Sequence, residues 1–169
     1  MGNDRRRHHE VRVTRRSMLG VLGAATVAAA TGTLAPPHAA AAQALGQQET
    51  VEAALQRLFG TRAIKDGGGL VKLDVPLIAE NGAVVPVSVE VNSPMTAANH
   101  VKSIYVVADK NRIPIITKIT LTPEAGQAFA GENVRLGETG DVRAIVEQSD
   151  GTLLQVKREV KVTVGGCGG

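Results

Sequence analysis

Leu70-Val71-Lys72-Leu73-Asp74-Val75-Pro76-Leu77, followed across Asn81-Gly82 by Val85-Pro86-Val87-Ser88-Val89-Glu90-Val91, is the stretch whose pattern decides the fold. Apolar and polar residues alternate. On a two-residue period Val71, Leu73, Val75 and Leu77 share one face, with Lys72 and Asp74 opposite. Val85, Val87, Val89 and Val91 repeat the pattern, with Pro86, Ser88, Glu90 and Asn92 on the other side. Asn81-Gly82 between the two runs has the composition of a tight hairpin turn. Pro76 and Pro86 each lack a backbone donor, which places this hairpin at a sheet edge or beside a bulge.

The same period continues downstream. Val101 to Ala108 is followed by Asp109-Lys110-Asn111 and then by Ile113, Ile115, Thr117, Ile119 and Leu121. Beyond a loop expected over Pro123 to Asn133 come a short strand at Val134 to Leu136, then Val142 to Glu147 and Leu153 to Val164, the last two joined by Ser149-Asp150-Gly151. About seven short strands with turn residues between them predict an all-β, antiparallel, immunoglobulin-like β-sandwich, with a small barrel as the other closure. A short N-terminal helix, Glu49 to Phe59, precedes it. Val51, Leu55, Leu58 and Phe59 form its apolar face and Gly60 ends it, so it either caps the domain's own core or docks on a partner. Gly67-Gly68-Gly69 lacks the Lys-Ser/Thr of a phosphate-cradling loop and reads as a linker or bulge. Asp109-Lys110 at a hairpin tip is similar to the lysine turn of lipoate- or biotin-carrying domains, but Asp-Lys-Asn between two strands reads more simply as a solvated turn.

Residues 1–42 do not belong to that pattern. Arg5, Arg6, Arg7, Arg12, Arg15 and Arg16 form a basic head, a modest apolar run follows from Met18 to Ala30, and small residues at Ala40-Ala41-Ala42 or Ala42-Gln43-Ala44 offer cleavage sites. The order Thr14-Arg15-Arg16-Ser17-Met18-Leu19 predicts a twin-arginine (Tat) export signal. Gly20, Gly23, Thr26 and Thr31 leave the apolar run too short and too diluted for a membrane anchor. The expected organisation is therefore a signal at 1–42, a helix plus β-sandwich at 43–164 and a glycine-rich arm at 165–169. The protein is expected in the periplasm, with no membrane attachment after cleavage.

Removing the leader changes the charge argument. Its six arginines against Asp4 and Glu10 sum to +4, so the net +3 of the whole chain leaves −1 for the rest. A body with no basic surplus, no tryptophan and only Phe59, Tyr105 and Phe129 as aromatics is not built for nucleic acid. His8, His9 and His38 also leave with the leader. With His100 and Cys167 as the remaining soft ligands, the body cannot assemble a zinc, haem or iron–sulfur site. No cofactor, metal site or catalytic residue is expected. A Cys167–His100 pair would require the tail to fold back on the domain. The twin-arginine route carries folded cargo, so the lack of a cofactor points to assembly with a partner before export.

What remains is Gly165-Gly166-Cys167-Gly168-Gly169, the chain's single cysteine between glycine pairs. Glycine has no Cβ, so Gly165, Gly166, Gly168 and Gly169 are expected to form a flexible arm. From Val164 to Cys167 is three residues, a reach of roughly 10 Å when extended. A free thiol titrates near about 8.5, and no cationic residue lies within five positions to lower it, so chemistry at Cys167 has to be supplied by a partner. Three readings follow: a covalent carrier, an exported thiol redox or sulfurtransferase protein, and a structural sandwich that dimerises through Cys167.

The twin-arginine leader, the short helix, Ile78-Ala79-Glu80-Asn81-Gly82 with Val85-Pro86-Val87, Lys118-Ile119-Thr120-Leu121-Thr122-Pro123, and above all Val162-Thr163-Val164-Gly165-Gly166-Cys167-Gly168-Gly169 resemble the SoxY family. These are sulfur-carrier subunits of the periplasmic thiosulfate-oxidising system. The resemblance spans essentially the whole chain. It implies that Cys167 is the covalent attachment site, loaded with thiosulfate as a cysteine S-thiosulfonate by the cytochrome SoxAX. The hydrolase SoxB would then release sulfate, and the sulfur dehydrogenase SoxCD would oxidise the remaining sulfane sulfur. It further implies a tight heterodimer with SoxZ, which has no export signal of its own.

Overall fold

Alternation shapes every long element of the computed structural model, which describes residues 45–166. Among those residues the chain forms helix α1 (Val51–Phe59) and strands β1 (Ile64–Asp66), β2 (Val71–Asp74), β3 (Ile78–Asn81), β4 (Val85–Val91), β5 (Val101–Ala108), β6 (Ile115–Thr120), β7 (Ala128–Val134), β8 (Gly140–Gln148) and β9 (Leu153–Val164). One sheet runs β1-β9-β8-β5-β6, with β3 also paired to β9. The other runs β2-β4-β7. The twin-arginine segment and Cys167, Gly168 and Gly169 lie outside the described residues. No helix among the described residues is long and apolar enough to cross a membrane.

The inner faces of the two sheets make the main core. Val85, Val87, Val89 and Val91 of β4 are all buried, facing Ile104, Val106, Ala108, Val142, Ala144, Val146, Leu154 and Val160 of the larger sheet. β5 is buried on both faces, which is why its sequence reads as a nearly unbroken apolar run. Its odd-numbered residues Tyr105 and Val107 point outward and are covered by α1, through Val51, Ala54, Leu58 and Phe59, together with Ile145 and Leu153. The helix therefore caps the domain's own core. Thr50 accepts a hydrogen bond from the Ala53 N–H at its start, and Gly60 ends it with a positive φ of 60°.

The sandwich with its leading helix is the expected fold. Its pairing is antiparallel except along β9, where β1 and β3 both run parallel to it. That exception corrects the hairpin expected across Asn81-Gly82. β2 does pair with β4, Val71 opposite Val91 and Leu73 opposite Val89, but it ends at Asp74. Past the donor-less Pro76 the chain leaves for the other sheet, where the Leu77 carbonyl accepts from the Lys161 N–H at 2.9 Å. Leu77, expected on the inner face, is consequently exposed. Asn81 forms a side-chain turn instead, its Oδ1 accepting from the Ala83 N–H at 2.9 Å, and Gly82 is not among the glycines with positive φ.

Besides β3, two strands were not foreseen. β1 adds three residues beside β9, and β7 occupies most of the segment expected to be a loop. β7 pairs with β4 along its whole length, from Val85 opposite Val134 to Val91 opposite Ala128. The short strand expected at Val134 to Leu136 is the end of β7 and the start of a loop. Asp109-Lys110-Asn111 is not a plain solvated turn, because Asn111 is buried and Asp109 pairs bidentately with Arg143, 2.7 Å from Arg143 Nε. That hydrogen bond is the main cause holding the Arg143 guanidinium above its ordinary value.

Candidate functional site: the root of the C-terminal arm

β9 carries the chain toward Cys167, so the site is built from where β9 ends. Its antiparallel pairing with β8 stops at Val160 opposite Gly140, and its parallel pairing with β3 continues to Val164 opposite Asn81. Thr139 takes over on the β8 side, its Oγ1 accepting from the Val162 N–H at 2.9 Å. Beyond Val164, three backbone segments meet. The Gly82 N–H donates to the Val164 carbonyl at 2.7 Å, the Leu136 N–H donates to the Gly82 carbonyl at 2.7 Å, and the Gly166 N–H donates to the Leu136 carbonyl at 2.9 Å.

The backbones approach too closely for any side chain. A Cβ on Gly82 would lie 2.2 Å from the Leu136 carbonyl oxygen and 2.8 Å from the Gly166 nitrogen. One on Gly165 would lie 2.3 Å from the Gly137 oxygen, and one on Gly166 would lie 2.6 Å from the Gly82 oxygen. None of these three has positive φ, so contact and not backbone conformation demands glycine here. Gly165 and Gly166, expected to be free arm, are held against the body in this structure, and Gly166 is buried.

Asn111 anchors the middle of this clasp. Its Nδ2 donates to the Arg135 carbonyl at 2.7 Å and its Oδ1 accepts from the Gly137 N–H at 2.9 Å, bracketing Leu136. Leu136 itself is buried in the main core. Nothing in the sequence marked Asn111 or Gly82 for this purpose. The signal available was glycine at 82, 165 and 166, but their proximity is a tertiary fact. Exposed Val164 and Val84 are close to clasp residues in sequence, and Leu77 and Ile78 are exposed where the chain enters β3.

His100 belongs to the other end of the molecule. Its backbone N–H donates to Ser149 Oγ at 3.2 Å and its Nδ1 lies 3.2 Å from the Thr96 carbonyl, beside the turn that opens β9. The 12-residue β9 separates that turn from the clasp, on the order of 36 Å at about 3.3 Å per residue. An arm reaching roughly 10 Å cannot close a Cys167–His100 pair. No group of three or more His, Cys, Asp or Glu side chains with metal-binding placement occurs among the described residues.

Fold and site together define a class: a β-sandwich that delivers its last strand to a clasped corner, with a cysteine one residue farther on. The chain belongs to the SoxY family, whose model, described as sulfur oxidation protein SoxY, matches residues 55–167 and so runs from α1 to that cysteine. Among solved structures, the sulfur carrier protein SoxY from Chlorobium limicola f thiosulfatophilum is 27% identical, with a TM-score of 0.57 over 68% of this chain and 97% of its own. A variant of superoxide reductase (neelaredoxin) from Ignicoccus hospitalis is 18% identical, with a TM-score of 0.50 over 68% of this chain and 93% of its own, a likeness of fold alone. No curated protein sequence matches the chain.

Proposed function

We propose that this sulfur-oxidation protein is a non-catalytic carrier that holds sulfur intermediates covalently on Cys167 while partner enzymes act on them. The observation that carries the reading is the family match extending to Cys167, the residue that follows the hydrogen-bonded Gly166 in sequence. In loading, the Cys167 thiol and the sulfane sulfur of thiosulfate give up an electron pair to a c-type cytochrome and a proton to water as their S–S bond forms. Hydrolysis then cleaves the bond from the sulfane sulfur to the sulfone. Water supplies the oxygen of the departing sulfate, and a persulfide stays on the carrier for further oxidation. None of these steps needs a base or metal from this chain.

The proposal extends to place and company. The Arg15-Arg16 leader supports export to the periplasm by the twin-arginine route, and the resemblance supports a heterodimer with SoxZ and transient visits to SoxAX, SoxB and SoxCD. Mass spectrometry of the tail from cells oxidising thiosulfate should find sulfane and thiosulfonate adducts on Cys167. Cys167→Ser should keep the wild-type unfolding midpoint and lose all sulfur turnover in the reconstituted system. A Cys167→Ser protein that still supports turnover would end the carrier reading. Loss of a disulfide-linked dimer as the only consequence would favour the structural alternative.

A further inference from the structure

We infer that Gly82, with the Leu136 carbonyl, is a positioning element for the arm: it clasps Gly165-Gly166 to the body and so sets how far Cys167 can reach. The inference deepens the carrier reading and takes its purpose from it. With the clasp closed, Gly166 is the last described residue and is fixed to the domain, so a tether counted from it to Cys167 is one residue, about 3.3 to 3.6 Å of extended chain. With Gly165-Gly166 peeled away, the tether starts at Val164 and is three residues, roughly 10 Å. A carrier that must enter a partner's channel needs the longer tether, and one at rest is held on the shorter.

The clasp is asymmetric in what can yield. Leu136 is packed in the core and bracketed by the bond Asn111 donates to the Arg135 carbonyl and the one it accepts from the Gly137 N–H, and Gly82 is joined through its own N–H to the end of β9. Among the described residues, Gly166 is held by one backbone bond, to Leu136. When the corner is strained, Gly165-Gly166 is the part that moves. Glycine at these positions thus serves close approach, which a generic flexible linker would not require.

The two roles of glycine separate experimentally. In the full chain, Cys167 is reacted with N-ethylmaleimide and with a maleimide carrying a bulky polyethylene glycol, and the ratio of rates reports the length of tether available. Gly82→Ala and Gly166→Ala, 84 positions apart in sequence, should each raise the bulky-to-small ratio and speed hydrogen exchange at the amide of residue 166, relative to its intrinsic rate, by about tenfold, as loss of one protecting hydrogen bond allows. Gly168→Ala, next to the same cysteine, should change neither. The inference is overturned if Gly168→Ala acts as strongly as Gly166→Ala, or if folded Gly82→Ala leaves both readouts at wild type. Should Gly82→Ala unfold the domain, the Gly166→Ala and Gly168→Ala pair decides, because both lie beyond β9. Both reagents alkylate the Cys167 thiol directly and need no thiosulfate and no partner enzyme. Failure to find adducts on Cys167 would therefore sink the carrier reading and leave the clasp intact, and the reverse also holds.

Discussion

A carboxyl at position 132 occupies a place that the alternation of β7 reserves for apolar side chains. Ala128, Ala130 and Val134 point inward and are buried, and Glu132 falls on the same side. Its Oε1 is buried with no hydrogen-bond partner among the described residues, and burial raises the carboxyl above its ordinary value, only partly offset by a hydrogen bond from Thr117. β7 is an edge strand and Thr117 is on β6, the edge of the facing sheet. An inward-pointing charge on an edge discourages pairing with a foreign strand, which accounts for a residue that costs stability. Because the folded carboxyl keeps its proton to higher pH than the unfolded one, the native state binds more protons in that window. Its stabilising share is full below the unfolded value and is lost as pH rises through the folded one. Glu132→Gln should therefore raise the unfolding free energy at neutral pH, by about 1 kcal/mol once solvent screening is allowed for. The gain should shrink toward zero near pH 4, in urea titrations at the two pH values. An equal gain at both would show that charge is not the cause.

At the scale of elements, α1 is small but covers the outer face of β5 and β8. Phe59 packs edge-on against Tyr105, with centroids 5.1 Å apart and planes at 83°. Phe59→Ala removes that ring from a buried site and should cost about 3 kcal/mol, read as a lower urea midpoint with unchanged slope. Tyr105 is the only tyrosine and the chain has no tryptophan, so intrinsic fluorescence reports the uncovering of that face directly. The helix and the strands β4, β5, β8 and β9 were legible because each carries its whole signal locally: Val51, Leu58 and Phe59 at helical spacing, or valines at every second position. β7 was not, since Gly131, Glu132 and Asn133 look like loop residues and only the partner β4 makes them a strand. The path of β3 was hidden for the same reason. Ile78-Ala79-Glu80-Asn81 is compatible with either sheet, and the parallel pairing with β9 joins residues some eighty positions apart. At the site, Gly165 and Gly166 were visible, yet composition alone suggests freedom where the contacts of Gly82 and Leu136 show confinement.

The sequence as a whole places its basic surplus and its cysteine far apart. All of the basic surplus is in residues 1–42, +4 against −1 for the remainder, and the single cysteine is at 167. On the proposed carrier reading, the corner held by the clasp is the one that faces the enzymes acting on that cysteine. A partner subunit without a signal can share the journey only if the complex forms first and crosses folded, which is what a twin-arginine route permits and a threading route forbids. Replacing Arg15 and Arg16 together by lysine preserves the charge of the leader and removes only the paired guanidinium groups. Under the proposed route this change should leave the uncleaved precursor folded in the cytoplasm, with the partner subunit retained beside it, as fractionation and immunoblotting would read. If the mature chain still accumulates in the periplasm with its partner left behind, export by threading is established and the pre-assembly argument falls with the twin-arginine assignment.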